Sequence, residues 1–411
     1  MEYHILDKSE TKVLYEITEE VIRGIYKSHL LFSMSTGWGY IAFQKLVKML
    51  LRNNFIKKYY THVSLITILQ ELLYGDKQIT KLDVESFLIK LDHFLFDNVK
   101  DCIVLIPVIG LEIDNNLSIG NCEVFKMEES LKQKITELIQ KNSHFVTGSP
   151  YGHYAYHPFM DISHLMKEKS LEYSPIKGKV YIKYYIRGYI DSTGYSIALE
   201  DSFDVFSTLC GIFKAIILSW GDAYRKSLIC KYPLTEYPKY FYSYTIDEKI
   251  IYLAELSDVF IFSLELCILF DGVFKEYGKA LERFDKLLKE EKGKITYKEN
   301  KLRRALMWFF MGTTEQDVTI KYVKYATALE TLLVKEKVGI SQQITEKLVN
   351  LIGQDEGETT IRKKAKKLYG LRCSILHSGK ELNIDNMSEL LEFEYFLSKA
   401  LLKYAEIGED F

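Results

Sequence analysis

The chain has 411 residues, 47% of them hydrophobic and 27% charged, with a formal net charge of −2 and a pI near 6.5. That length suits two or three domains and a sizeable core. The charge balance excludes a uniformly basic nucleic-acid coat, so an anionic partner must be met by a local cationic patch.

From the N-terminus, MEYHILDKSETKV is polar and carries no signal-peptide core, which sets the expectation of a cytoplasmic protein. Residues 12–97 read as helical, with apolar positions three and four apart in KLVKMLLRNNF and SLITILQELLY. CIVLIP (102–107) and LSIGNCEVF (117–125) read as strands. KVYIKYYIRGYI (179–190) alternates Val180, Ile182, Tyr184 and Ile186 with Lys and Tyr, the period of a half-buried strand. DSFDVFSTLCGIFKAIILSW then predicts a helix capped by Asp201 or Ser202. Two stretches lack regular patterning: 143–178, with Gly148, Pro150, Gly152, Pro158 and Pro175, and 231–245, with Pro233 and Pro238. The apolar run from Val259 is interrupted by Glu265 and Asp271, so a buried helix is expected and no membrane partner. The six cysteines (Cys102, Cys122, Cys210, Cys230, Cys267, Cys373) form no CxxC pair, which suits a reducing compartment.

All six prolines lie at or before Pro238, and the last 173 residues hold none, so that part reads as all-helical. Five helices are legible there. They are 300–312, 317–336, 342–353 ending at Gly353, one capped by Thr359 or Thr360, and one from Ser388 to about Tyr404. The fold class is therefore α+β at the N-terminus followed by an all-α C-terminal bundle, helical overall. The boundaries are 1–240 for a mixed domain, 241–296 for connecting helices around the charged stretch 286–300, and 297–411 for the bundle.

The stretch LYGLRCSILHSGK (368–380) places Arg372 and His377 in an R-x4-H arrangement. Five residues subtend about 140° on a helix, so the two side chains need a bent helix or a two-fold partner to converge. Histidine moves protons near neutral pH, and arginine carries a permanent charge that forks onto phosphate. From Thr359 to Lys380 there are seven cations and no acid: Arg362, Lys363, Lys364, Lys366, Lys367, Arg372 and Lys380. A solvated basic face explains that run as readily as an RNA-binding patch does. On its own, R-x4-H recurs by chance.

The same stretch resembles the signature of the HEPN superfamily, in which a helix carries R-x(4–6)-H. MWFFMGTTEQDVTIKYVKYATALETLLVKE resembles the helix preceding that motif in the ApeA-like HEPN group, and the intervening segment with SQQITEKL fits. The likeness covers about 297–411, and VLIPVIGLEI followed by SIGNCEVF weakly resembles the N-terminal halves of such proteins. It implies a helical bundle that dimerises and a metal-independent endoribonuclease with no cofactor, cleaving RNA, tRNA included, in anti-phage defence by abortive infection or in a toxin–antitoxin pair. Arg372 and His377 match the motif, and Glu330 matches an acidic residue that orients the arginine. Lys363, Lys364, Lys366, Lys367, Ser374 and Lys380 become candidate substrate contacts. Many active members carry a polar residue directly after the arginine; here it is Cys373. Inactive members that bind only nucleotides or partners supply the alternative. The N-terminal domain would then sense a phage-derived trigger or another regulatory partner.

Two other stretches carry chemistry. His144, His153, His157 and His164 with Asp161 include an i, i+4 histidine pair, but Gly152 and Pro158 fit a loop better than a helical metal site, and no metal is expected. In 232–249, Tyr240, Tyr242 and Tyr244 alternate with other residues and offer bases a stacking surface; a linker packed on the core is the default. No GxxxxGK[ST], GxGxxG or GxSxG occurs.

Overall fold

The computed structural model describes residues 5–6, 8–28, 38–74, 83–108, 113, 115–146, 180–190, 197–219, 240–247, 251–255, 277–289, 294–315, 317–383 and 386–407. These residues are mostly helical, with one small sheet whose pairs are antiparallel except for a single parallel pair.

The N-terminal helices α1 (Lys8–Ser28), α2 (Trp38–Leu50), α3 (Asn54–Tyr59), α4 (His62–Tyr74) and α5 (Val84–Asp97) share an apolar core of their own, including Leu46, Leu65, Phe87 and Leu91. Two side chains fix its ends. Asn53 caps α3, and the buried Asp92 carboxylate accepts from the amides of Ile5 and Leu6, both at 2.9 Å.

The strands are β1 (Lys100–Val108), β2 (Leu117–Ile119), β3 (Cys122–Lys126), β4 (Ser143–Val146), β5 (Val180–Gly188), β6 (Tyr240–Thr245) and β7 (Ile251–Glu255), in the order β2-β3-β5-β1-β6-β7-β4. LSIGNCEVF is a hairpin rather than one strand. Gly120 at φ 64° makes the turn, and its amide donates to Asp285 at 2.8 Å. Each proline-rich stretch holds a strand: β4 opens the first, and β6 closes the second. Residues 147–179 and 231–239, with His153, His157, His164 and Asp161, lie outside the described residues, as does the apolar run from Val259.

Alternation along β1 sends Cys102, Val104, Ile106 and Val108 to one face and Leu105 to the other. The second face is covered by α6 (Glu129–Asn142) through Ile135 and Leu138. The first face packs on α7 (Ile197–Ser219). Asp201 and Ser202 do not cap α7, which begins four residues earlier; the Ser202 hydroxyl donates to the Ala198 carbonyl inside the helix at 2.8 Å. The window Glu200–Ser219 has the length and hydropathy of a membrane span, yet 89% of it is buried within the protein. Gly211 lets α7 approach the next layer, because a Cβ there would stand 2.4 Å from the Leu306 carbonyl oxygen.

That next layer is helical: α8 (Gly278–Lys289), α9 (Tyr297–Thr313), α10 (Val318–Leu333), α11 (Ile340–Glu356), α12 (Glu358–Ser378) and α13 (Met387–Ile407). Thr296 and Glu299 form a capping box at the start of α9, and Asp317 caps α10. Along α10, Tyr322, Tyr325, Ala326, Leu329, Leu332 and Leu333 form a buried stripe. α11 does not stop at Gly353, which is buried within it; it ends at Gly357, φ 84°, and that glycine rather than Thr359 or Thr360 also begins α12. One continuous apolar core joins the first face of the sheet, α7 and this bundle.

Candidate functional site

α12 carries the R-x4-H stretch. Its buried positions are Ile361, Ala365, Leu368 and Ile375. Helical geometry puts Arg372 about 40° from Leu368 and about 60° from Ile375, at the edge of this inward stripe. His377 is turned by about 140° from Arg372 and is exposed in the last turn. Gly379, φ 64°, terminates the helix, and the Gly379 and Lys380 amides both donate to the Ser374 carbonyl.

Glu330 on α10 meets Arg372 at two points. Nε lies 2.9 Å from Oε1, an electrostatic contact off the hydrogen-bond line, and a terminal nitrogen donates to Oε2 at 3.3 Å. The side chains are 20% and 23% exposed, shielded enough for the pair to hold its geometry. Tyr369, one turn before Arg372, lies 5.4 Å from the guanidinium carbon across its ring. Burial, and next the Glu330 charge, push the Tyr369 hydroxyl up to about 12, so it stays a neutral donor beside the carboxylate. Arg372 is thereby held from two sides. Tyr369 was not singled out from the sequence, although its i−3 spacing from Arg372 was a usable signal.

His377 forms no hydrogen bond or ion pair with Arg372 or Glu330. The structure brings Arg372 and Glu330 together and leaves His377 on another face of the same helix. An arrangement using both motif residues within one cleft therefore needs a second helix end, such as that of a second copy of the chain.

The basic run divides in two. Lys364 pairs with Glu392 at 2.6 Å and sits 4.9 Å over the Phe396 ring, and Lys367 pairs with Glu389 at 3.4 Å. Both carboxylates come from α13, so these two lysines join helices. Arg362, Lys363 and Lys366 are exposed and take part in no ion pair among the described residues. Lys366 and Lys363 point within about 40° of His377, roughly 16 and 21 Å up the axis. They extend the His377 face as a cationic stripe. Ser374 donates its hydroxyl to the Gly370 carbonyl at 3.1 Å, Cys373 is a half-buried free thiol, and Lys380 is exposed just past the helix end.

Of the other stretches, His144 lies on β4 and Tyr240, Tyr242 and Tyr244 lie on β6, where Tyr244 pairs with Ile103 and Tyr242 with Leu105 of β1. Among the described residues no three His, Cys, Asp or Glu side chains gather as metal ligands. Comparison with family models, curated proteins and solved structures yields no match to this chain.

Proposed function

We propose that this chain is a metal-independent endoribonuclease of the HEPN type that acts as a homodimer in anti-phage defence. The reading rests on the R-x4-H resemblance, and one observation supports it above the others: Glu330 grips Arg372 at two points in a half-buried position on the helix that presents His377 to solvent. A guanidinium fixed in this way is pre-organised to receive phosphate charge without being reordered at each turnover. The Lys363–Lys366 stripe on the His377 face adds sequence-independent attraction for an RNA backbone.

In the proposed reaction the RNA 2′-hydroxyl attacks the adjacent phosphorus while the P–O5′ bond breaks. A base removes the 2′-proton and an acid delivers a proton to the leaving 5′-oxygen, giving a 2′,3′-cyclic phosphate and a 5′-hydroxyl end. His377 transfers one of these protons, and Arg372 from the partner helix stabilises the charge on the non-bridging oxygens. Glu330 and Tyr369 act on Arg372 as positioning residues.

A second reading is a non-catalytic nucleotide- or partner-binding bundle. It is favoured by the neutralisation of Arg372 through Glu330 and by Cys373 directly after the arginine. Overexpression separates the two. The nuclease reading expects growth arrest that His377→Ala abolishes while the purified variant melts like the wild type. Equal toxicity of the two proteins would favour the binding module.

A further inference from the structure

The end of α10, one turn past Glu330, holds a cationic cluster that the R-x4-H reading does not use. Lys301 of α9 donates to the Val334 carbonyl at 2.7 Å, and Lys347 of α11 donates to the Leu333 carbonyl at 2.6 Å. Two ammonium groups from different helices are thus tied to consecutive carbonyls. Lys335, the next residue, is exposed and adds a third charge. Its amide is fixed by Gln343, whose side chain also bonds the Glu336 amide and the carbonyls of Glu336 and Val338.

A helix C-terminus favours cations, but its partial charge is only about −0.5. Three lysines exceed it, and none of Lys301, Lys335 or Lys347 pairs with a carboxylate among the described residues. The strain shows in the lysines themselves. Burial, then Lys347 and Lys335, pull Lys301 down to about 8, and burial followed by Lys335 lowers Lys347. Each tethered ammonium keeps two donors beyond its carbonyl bond. Beside them Tyr297 is 73% exposed, with the Lys301 ammonium 5.7 Å from its ring centroid. An open aromatic face next to uncompensated cations is the pairing that single-stranded nucleic acid meets, one element for a base and the other for its phosphates.

We propose that Lys301, Lys335, Lys347 and Tyr297 form a second contact site for single-stranded RNA, taking a backbone phosphate on the lysines and a base on the tyrosine. The proposal rests on the RNA-cleaving reading for its substrate class. It adds a place where RNA is held apart from the reacting phosphate. Val334 is four residues past Glu330, so the cluster lies about 6 Å further along the α10 axis than the Glu330–Arg372 pair.

The test uses the full chain with His377→Ala, a labelled single-stranded RNA oligonucleotide, and anisotropy titrations at several salt concentrations. Lys335→Gln and Tyr297→Ala alter exposed side chains, so their combination keeps the fold, which a melting curve checks. The double variant is expected to bind about 10-fold more weakly, with a salt slope reduced by about 1. An unchanged affinity and slope, or no binding of RNA to either protein, overturns the proposal. Cleavage by the same proteins with His377 intact separates the two readings. Binding that depends on the cluster without cleavage by wild type removes the nuclease reading alone. Cleavage with cluster-independent binding removes this site alone.

Discussion

Glu330 and Arg372 are 42 positions apart in sequence and meet at two points between α10 and α12. The pair joins the helix that bears the acidic residue to the helix that bears the histidine. Glu330→Ala leaves a half-buried guanidinium unpaired, and the expected cost is about 1–2 kcal/mol. A double-mutant cycle with Arg372→Ala in urea melts reads the coupling directly; the double variant is expected to lose less than the sum of the single losses.

Catalysis shared between two copies makes a different prediction. Arg372 lies at the edge of the inward stripe of α12 and His377 on its exposed face, so under the proposed function a complete site would draw them from two protomers. Mixing Arg372→Ala protein with His377→Ala protein is expected to restore part of the cleavage that each has lost. A mixture as inactive as its components would mean that the two residues do not complement each other across a dimer.

Stability at alkaline pH should follow the buried ionisable groups. Lys214 of α7 is 5% exposed, and burial lowers it to about 8, with Glu394 the chief opposing influence and Lys321 and Cys210 also near. Lys301 is lowered to about 8 as well. From about 8 to 9, below the onset of thiol ionisation in the unfolded chain, the unfolded state binds more lysine protons, so stability rises with pH. Above about 9 the buried thiols Cys122 and Cys210, both raised by burial, hold protons that the unfolded chain releases, and this opposes the lysines. Tyr322 and Tyr325 are raised, chiefly by burial, and remain protonated in the fold when the unfolded chain has released its protons. Thermal melts from pH 7.5 to 11 should show a maximum between about 9 and 10, and Lys214→Met should flatten the rising limb.

The seam between α7 and the bundle is tight at Gly211. Gly211→Ala pushes a methyl group against the Leu306 backbone and is expected to cost about 1–3 kcal/mol. At the other end of the candidate site, Gly379→Ala forces a side chain into the left-handed region at φ 64°, at about 1–2 kcal/mol, and should speed hydrogen exchange over 374–378.

Periodicity made the helices and the main strands legible, because each buries a stripe that local sequence defines. Features set by distant partners were not legible. The basic run reads as one patch, but Glu389 and Glu392 from another helix engage Lys367 and Lys364, while Lys363 and Lys366 form no ion pair among the described residues. Gly353 and Gly357 are alike in composition, and only the backbone shows that the second, at φ 84°, stops α11. Asp201 and Ser202 suit a cap or an interior equally, and hydrogen bonding to Ala198 decides for the interior. The Glu330–Arg372 contact was suggested by family resemblance alone; spacing of 42 residues carries no such information.

The central claim is tested most directly by incubating the purified protein with total RNA and a tRNA pool in EDTA, alongside His377→Ala and Arg372→Ala. Cleavage to 2′,3′-cyclic phosphate ends by the wild type is expected, with a loss of at least about 100-fold in each variant. Cleavage that survives either substitution, or that disappears from the wild type in EDTA and returns with a divalent metal, would contradict it.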